Sequence, residues 1–222
     1  VMGRPEKSSG REIVEAAVAG GAGSIPIVGS IVAAGLTFAM TVAHNRRMDA
    51  WFDSLAERLD ALEDRPSWEE LANDDEFVDV VIASSRIAST TASEEKLEAL
   101  RNAVVSTLTD ETVSEDERAI FLRYIDEFTP SHLALLEFLQ DPAGYFDAHG
   151  IPRPDLHMGS RAHLIEAALP ALASSAMLTT VEGDLSRRNL INGGFNVTMT
   201  GAGMWAPGTK AEGDRFLRFI TA

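Results

Sequence analysis

Hydrophobic and polar positions follow a helical period over most of the chain. The clearest seam advances in steps of four, three, four and three residues through Met48, Phe52, Leu55, Leu59 and Leu62. Charged side chains fill the positions between, as in a heptad repeat. We predict one long helix that begins at Ile27 and ends before Pro66. Because heptad seams pair with other helices, the first four seam residues are predicted to mediate self-association.

Capping signals and apolar periodicity predict further helices after Pro66. Ser67-Trp68-Glu69-Glu70 and Ser114-Glu115-Asp116-Glu117 are capping boxes, so a helix should begin after each serine. A helix should also begin at Thr129-Pro130 and end before Asp141-Pro142. The apolar positions of the helices between these signals predict buried faces.

The pattern changes in the last third of the chain. A helix is predicted from about Ser160 to Leu178, with a bend at Pro170. Apolar and polar residues then alternate after Asn192-Gly193, which predicts a β-hairpin. An amphipathic segment from Thr209 to Ile220 predicts a final helix.

The N-terminal region contains 28 consecutive residues without a formal charge, at positions 16–43. Small residues recur four apart, which lets helix backbones approach closely, and the segment is long enough to cross a bilayer. Two hypotheses follow: a tight helical hairpin buried in a bundle or oligomer core, or insertion into or along a membrane. The residues predicted to form it are Gly20, Gly23, Pro26, Gly29, Gly35, Leu36 and Phe38.

These patterns predict a mainly α protein with a small α+β part at its end. We expect three segments: a hydrophobic hairpin and long helix at 1–65, an acidic helical bundle at 66–130, and a C-terminal domain at 131–222. The chain of 222 residues is long enough for one large domain or two small ones.

Charge is concentrated in the middle of the chain. The whole chain has a formal net charge of −15. Residues 45–130 contain nine basic and 22 acidic side chains, a net charge of −13. An acidic middle is repelled by nucleic acid phosphate and by anionic membrane surfaces, so nucleic acid is not an expected partner.

The C-terminal third resembles a winged-helix domain in the order of its elements. The segments SHLALLEFLQDP, LIEAALPALASSAMLTT and TKAEGDRFLRFI match its first helix, its recognition helix and the segment that closes the wing. The resemblance implies an α+β domain that binds either a protein partner or DNA. The recognition-like helix has no basic residue after His163, which favours a protein partner. In the DNA-binding alternative, phosphate would be contacted by Arg161, Arg187, Arg188 and Lys210.

The whole chain also resembles a group of uncharacterised bacterial helical proteins, and distantly the Abi-alpha type of abortive-infection protein. The segments FLRYIDEFTPSHLALLEFLQDP and TKAEGDRFLRFI carry this resemblance. It implies a bacterial protein with a role in phage defence. The matching residues belong to helices and cores, so the resemblance implies no active-site residue.

No catalytic motif is recognisable in the sequence. Cysteine is absent, which removes disulfides and thiolate metal sites and fits a reducing compartment. His149, His157 and His163, with Asp155, are better interpreted as surface or capping residues than as metal ligands. We therefore expect a non-enzymatic protein without cofactor, metal or small-molecule substrate. It should be cytoplasmic, or held peripherally or integrally at the inner face of the cell membrane, and bind a protein partner or further copies of itself.

Overall fold

The computed structural model describes residues 31–63, 66–110 and 112–221. The chain divides into two compact units, with the boundary between Asp126 and Glu127. The long helix and the predicted acidic bundle fall in the first unit together, and the second unit starts a few residues before the predicted boundary. The mainly α prediction is confirmed, since the described residues form helices and one two-stranded sheet.

Helices are the only regular elements among the described residues of the first unit. Its helices are α1 (Ile31–Asp60), α2 (Trp68–Ala72), α3 (Asp75–Thr90), α4 (Glu94–Thr109) and α5 (Glu115–Glu127). The predicted start of the long helix at Ile27 lies outside the described residues, and its predicted end before Pro66 is confirmed.

Both predicted capping boxes are present. The Ser67 hydroxyl accepts the Glu70 amide over 3.2 Å, and the Glu70 carboxylate accepts the Ser67 amide over 2.8 Å. Ser114 and Glu117 make the same reciprocal pair. These bonds satisfy amides that a helix N-terminus leaves without intrahelical partners, and so fix where α2 and α5 begin.

The second half of α1 packs against α3 and α4 and supplies the core of the first unit. Phe52, Leu55 and Leu59 are 6%, 1% and 0% exposed, whereas Met48 is half-buried. The heptad pattern therefore marks an internal core. The prediction that this seam mediates self-association is wrong for Phe52, Leu55 and Leu59, because their own unit already covers them.

The second unit contains seven helices and two short strands among its described residues. They are α6 (Pro130–Gln140), α7 (Pro142–Ala148), β1 (Met158–Ser160), α8 (Arg161–Ala168), α9 (Pro170–Ala173), α10 (Met177–Arg187), β2 (Thr198–Thr200), α11 (Gly201–Trp205) and α12 (Ala211–Ile220). The predicted start of α6, its predicted end and the final helix are confirmed.

The helix predicted from Ser160 to Leu178 is divided into α8, α9 and the start of α10. Pro170 has no amide hydrogen to continue the helical ladder beyond α8. The Ser175 hydroxyl then donates to the Leu172 carbonyl over 2.8 Å, a local bond that competes with further helix. The predicted bend is therefore an interruption of the helix.

The hairpin predicted after Asn192-Gly193 is also wrong. β2 pairs antiparallel with β1, with Met158 opposite Thr200 and Ser160 opposite Thr198. The Phe195 carbonyl accepts the amide of Ala162, so the segment before β2 is held against the start of α8. Alternation of side chains identified a strand but could not identify its partner.

The core of the second unit is aromatic. α12 contributes Phe216 and Phe219, which are fully buried, and contacts α6. The Phe216 ring meets Phe128 edge to face at 5.8 Å. Other fully buried side chains include Leu135, Phe138, Phe146 and Leu185.

Candidate interaction surfaces

The first half of α1 carries large apolar side chains exposed to solvent. Phe38, Met40 and Val42 are 71%, 60% and 51% exposed. Phe38 and Val42 share a face because they are four residues apart, whereas Met40 is about 200° from Phe38 around the helix axis. We call residues 31–43 the apolar segment. A helix that is apolar on every face is normally covered, so this segment is a candidate interaction surface.

The predicted hairpin residues lie mostly beyond the described part of the chain. Gly20, Gly23, Pro26 and Gly29 precede residue 31. Gly35 and Leu36 lie in the helical backbone of α1, followed by the exposed Phe38. Among the described helices, none has the length and apolar character that crossing a membrane requires.

A groove of about 460 Å³ lies between α3 and α5. Apolar side chains that are buried or half-buried form its floor, namely Val80, Ala83, Ile87 and Leu122, and the exposed Ala119 also lines the cavity. Exposed charged side chains form its rim, namely Glu76, Asp79, Arg86, Glu115, Arg123 and Asp126, and the buried Arg118 also lines the cavity. An apolar floor with a charged rim suits an amphipathic or apolar partner. We call this cavity the α3–α5 groove.

The two helices of the groove run in the same direction. Arg118, near the start of α5, pairs with Glu76 at the start of α3. Helix α4 begins a few residues after α3 ends, so its start lies near the end of α3. Lys96, at the start of α4, donates to the Asp126 carbonyl over 2.7 Å near the end of α5. One end of the groove therefore holds Glu76, Asp79 and Glu115 with Arg118, and the other end holds Arg86 and Arg123 with Asp126.

Arg118 is a buried cation at the acidic end of the groove and is only 6% exposed. Besides its pair with Glu76, it donates to the Asp110 carbonyl over 3.3 Å. Its Nε has no hydrogen-bond partner among the described residues. Burial lowers the pKa of Arg118, and the charge of Asp74 opposes that effect. Sequence reasoning missed this residue. The sequence feature that could have identified it is an arginine at a position of α5 where the helical period predicts an apolar residue, three residues before Phe121.

A charged network joins α1 to α4 in the first unit. The Glu98 carboxylate accepts Arg58 over 2.6 Å and Arg101 over 2.8 Å. Burial favours the neutral form of Glu98, but hydrogen bonds from the two arginines outweigh it and hold its pKa below the ordinary value. Burial likewise opposes the charged form of Arg101, yet its bonds to Glu94 and Glu98 raise its pKa. These bonds lock the second half of α1 in place.

The four basic residues of the DNA-binding hypothesis have partners within the second unit. Arg161 is 7% exposed, and its Nη2 donates to the carbonyls of Gly203 and Ala206 over 3.2 and 2.8 Å. Arg187 pairs with Asp184, Arg188 pairs with Glu127, and Lys210 donates to Asn189 over 2.8 Å. The burial of Arg161 keeps its guanidinium from a phosphate, so its role is structural.

His132 joins a hydroxyl and a carboxylate in an order typical of a catalytic triad. Its Nδ1 lies 2.8 Å from Thr129 Oγ1, and its Nε2 lies 3.3 Å from Asp184 Oδ2. The Thr129 amide also donates to Nδ1, over 3.1 Å, and so occupies the lone pair that a general base would need. His132 therefore caps α6. His163 accepts the Ser160 amide over 3.2 Å in the same way at the start of α8.

The remaining histidines of the last third do not converge on a metal. The His149 ring stacks on Tyr145 with centroids 3.9 Å apart, and its Nδ1 lies 2.9 Å from the Tyr145 carbonyl oxygen. Within residues 31–63, 66–110 and 112–221, no group of three metal-ligating side chains is arranged to hold an ion.

No family model, curated protein or solved structure matches the chain.

Proposed function

We propose that this chain is a non-enzymatic bacterial interaction protein that self-associates through the apolar segment of α1. The observation that supports this proposal is the exposure of Phe38, Met40 and Val42 on opposite sides of one helix. Burying one such side chain on association is favourable by about 1.5–3 kcal/mol. The second half of the same helix is held in the core by the buried side chains of Trp51 and Leu55, and the apolar segment extends from this fixed part of the helix.

Charge favours another copy of the chain over a membrane as the partner of the apolar segment. The region that follows it, residues 45–130, has a net charge of −13 and is repelled by anionic lipid. Acidic units of two copies also repel one another, but salt screens charges separated by more than about 8 Å.

A protein partner for the second unit is the second part of the proposal. Met158 in β1 and Val197, just before β2, are 70% and 60% exposed. The second unit offers apolar side chains at its small sheet, while Arg161, Arg187, Arg188 and Lys210 have partners within the unit. The absence of cysteine fits a place in the cytoplasm, and the resemblance to abortive-infection proteins supports a role in phage defence.

Sedimentation of the full chain over a range of concentrations tests self-association. We expect the wild-type mass to rise with concentration. The double variant Phe38→Gln and Val42→Gln should remain a monomer, because glutamine keeps the helix but removes the apolar surface. Met177→Gln removes an apolar side chain that is 44% exposed in the second unit and is the control.

The same variants should be mixed with vesicles of anionic lipid to separate the two partners. If wild-type protein stays monomeric in solution but floats with the vesicles, the apolar segment binds a membrane and the proposal of self-association is wrong. A wild-type chain that stays monomeric and ignores vesicles would contradict the proposal.

A further inference from the structure

We propose that the α3–α5 groove receives the apolar segment of α1 from a second copy of this chain. In this contact the apolar segment lies on the floor of the groove, and Arg46 and Arg47 lie against its acidic end. The inference rests on the proposed function, because it names the surface on which the self-associating helix docks.

The groove is long enough to hold about three turns of the exposed helix. From Glu76 to Ile87 on α3, and from Glu115 to Asp126 on α5, the groove extends over eleven residue steps, or about 16 Å. The stretch of α1 from Leu36 to Arg47 has the same length. Ala83 and Ala119 both line the groove, and their small side chains let another helix approach closely.

The charge at the acidic end of the groove complements the basic residues of α1. Asp79 and Glu115 are exposed there, beside the Glu76–Arg118 pair. Arg46 and Arg47 are exposed and lie three and four residues beyond Ala43, where the apolar segment ends. Opposite charges brought together in this way fix the direction of the docked helix more than they add affinity.

The direction follows from this pairing. With Arg46 and Arg47 at the acidic end, the uncharged start of the apolar segment lies at the end that holds Arg86, Arg123 and Asp126. The docked helix then runs antiparallel to α3 and α5, an arrangement common in helical bundles. No charge of the apolar segment faces these three side chains.

The occupant must come from another copy, because α1 cannot fill the groove of its own chain. α1 is one continuous helix from Ile31 to Asp60, and its second half is held by packing on α3 and α4. Its first half continues along the same axis and cannot turn back into the groove without breaking the helix. A contact of this kind can be exchanged reciprocally between two copies or repeated from copy to copy.

Charge reversal with rescue tests this contact on the full chain. One double variant carries Arg46→Glu and Arg47→Glu, a second carries Asp79→Arg and Glu115→Arg, and a third combines all four changes. Each double variant should raise the self-association Kd about tenfold, since two exposed pairs become repulsive, and the combination should restore most of that loss. Circular dichroism should show that every variant keeps its helical content.

A matched control reverses the same amount of charge elsewhere. Asp155→Arg with Glu166→Arg changes two exposed acids of the second unit and should leave the Kd unchanged. A further test variant, Ala83→Gln, places a bulkier side chain on the floor of the groove. It should weaken association without altering any charge.

The outcomes separate this inference from the proposed function. If Phe38→Gln with Val42→Gln abolishes association but the groove variants leave it intact, self-association stands and the groove is not its receptor. The inference also falls if the combined charge variant is no better than the two double variants. If even wild-type protein remains a monomer, both proposals fall.

Discussion

The indole Nε1 of Trp51 donates to the Ser85 hydroxyl over 3.2 Å, joining α1 to α3 across 34 positions of sequence. Trp51 is 3% exposed and Ser85 is 1% exposed, so water cannot replace this bond. A buried indole must find a polar partner or lose the free energy of its hydrogen bond to water. The bond therefore fixes the depth at which α1 enters the core.

Ser85→Ala should lower the free energy of unfolding by about 1–3 kcal/mol, because it leaves the Trp51 N–H buried without a partner. Urea denaturation followed by far-ultraviolet circular dichroism measures this change. The neighbouring Ser84→Ala is the matched control. Ser84 is fully buried, and its hydroxyl has no hydrogen-bond partner in the described part of the chain. Both changes alter helix propensity equally, so a loss as large in Ser84→Ala would contradict this account.

Glu98→Gln should change how stability depends on pH. The arginine hydrogen bonds hold the pKa of Glu98 below its ordinary value of 4.5, so the unfolded chain binds the proton more tightly. The stabilisation is therefore present above pH 4.5 and is lost as the pH falls through the lower, folded value. Wild type should be more stable than the variant at neutral pH, and this difference should shrink in acid.

Urea denaturation at a series of pH values from neutral to about pH 3 measures this difference. The Glu98 side chain is 44% exposed, so solvent keeps the effect modest. Glu57→Gln removes an exposed α1 carboxylate that has no ion pair within the described ranges, and it controls for losing surface charge. A wild-type advantage that stays constant in acid would contradict the role assigned to Glu98.

Local signals in the sequence predicted where helices begin, because a capping bond joins residues only three apart. Ser67 with Glu70 and Ser114 with Glu117 carry this information in the chain itself. The heptad seam of α1 identified residues that are buried, but its repeat is the same for an internal core and for a partner helix. Only the contacts of α1 with α3 and α4 distinguish the two.

The α3–α5 groove could not be predicted from sequence, since its rim combines residues up to 50 positions apart, from Glu76 to Asp126. No local period records which helices lie side by side. The partner of β2 was missed for the same reason, because β1 lies about 40 positions earlier. By contrast, the exposed Phe38 was singled out by the long uncharged stretch alone.

Gly213→Ala should destabilise the second unit by about 1–3 kcal/mol, the usual cost of overpacking. A Cβ at this position of α12 would lie 2.2 Å from the Leu190 carbonyl oxygen, a backbone atom with little freedom to move. Gly183→Ala in α10 is the control, because its new Cβ would meet only the flexible end of Arg187 at 3.4 Å. That variant should gain about 0.5–1 kcal/mol from its lower unfolded-state entropy. Thermal unfolding of the two variants should therefore shift in opposite directions.

Arg161→Gln should destabilise the second unit by about 2–3 kcal/mol, because buried carbonyls lose a charged donor. The Arg161 Nη2 donates to Gly203 and Ala206, and a Cβ added at Gly208 would lie 2.3 Å from its Nη1, which shows how tightly the guanidinium is enclosed. Arg187→Gln removes a side chain that is 72% exposed and should change stability by less than about 0.5 kcal/mol.

The same two variants bear on the DNA-binding hypothesis when duplex DNA is added at low salt. If Arg161 holds the fold and contacts no phosphate, Arg161→Gln should lower the unfolding temperature, and no variant should reveal salt-dependent binding. Each phosphate contact contributes about −0.9 to the slope of the logarithm of the DNA-binding constant against the logarithm of the salt concentration. If Arg161 contacts a phosphate, this slope should therefore be less steep in Arg161→Gln than in wild type. An Arg161→Gln protein of unchanged stability whose wild-type parent binds DNA with such a slope would overturn the structural role of Arg161 and restore the phosphate-binding interpretation.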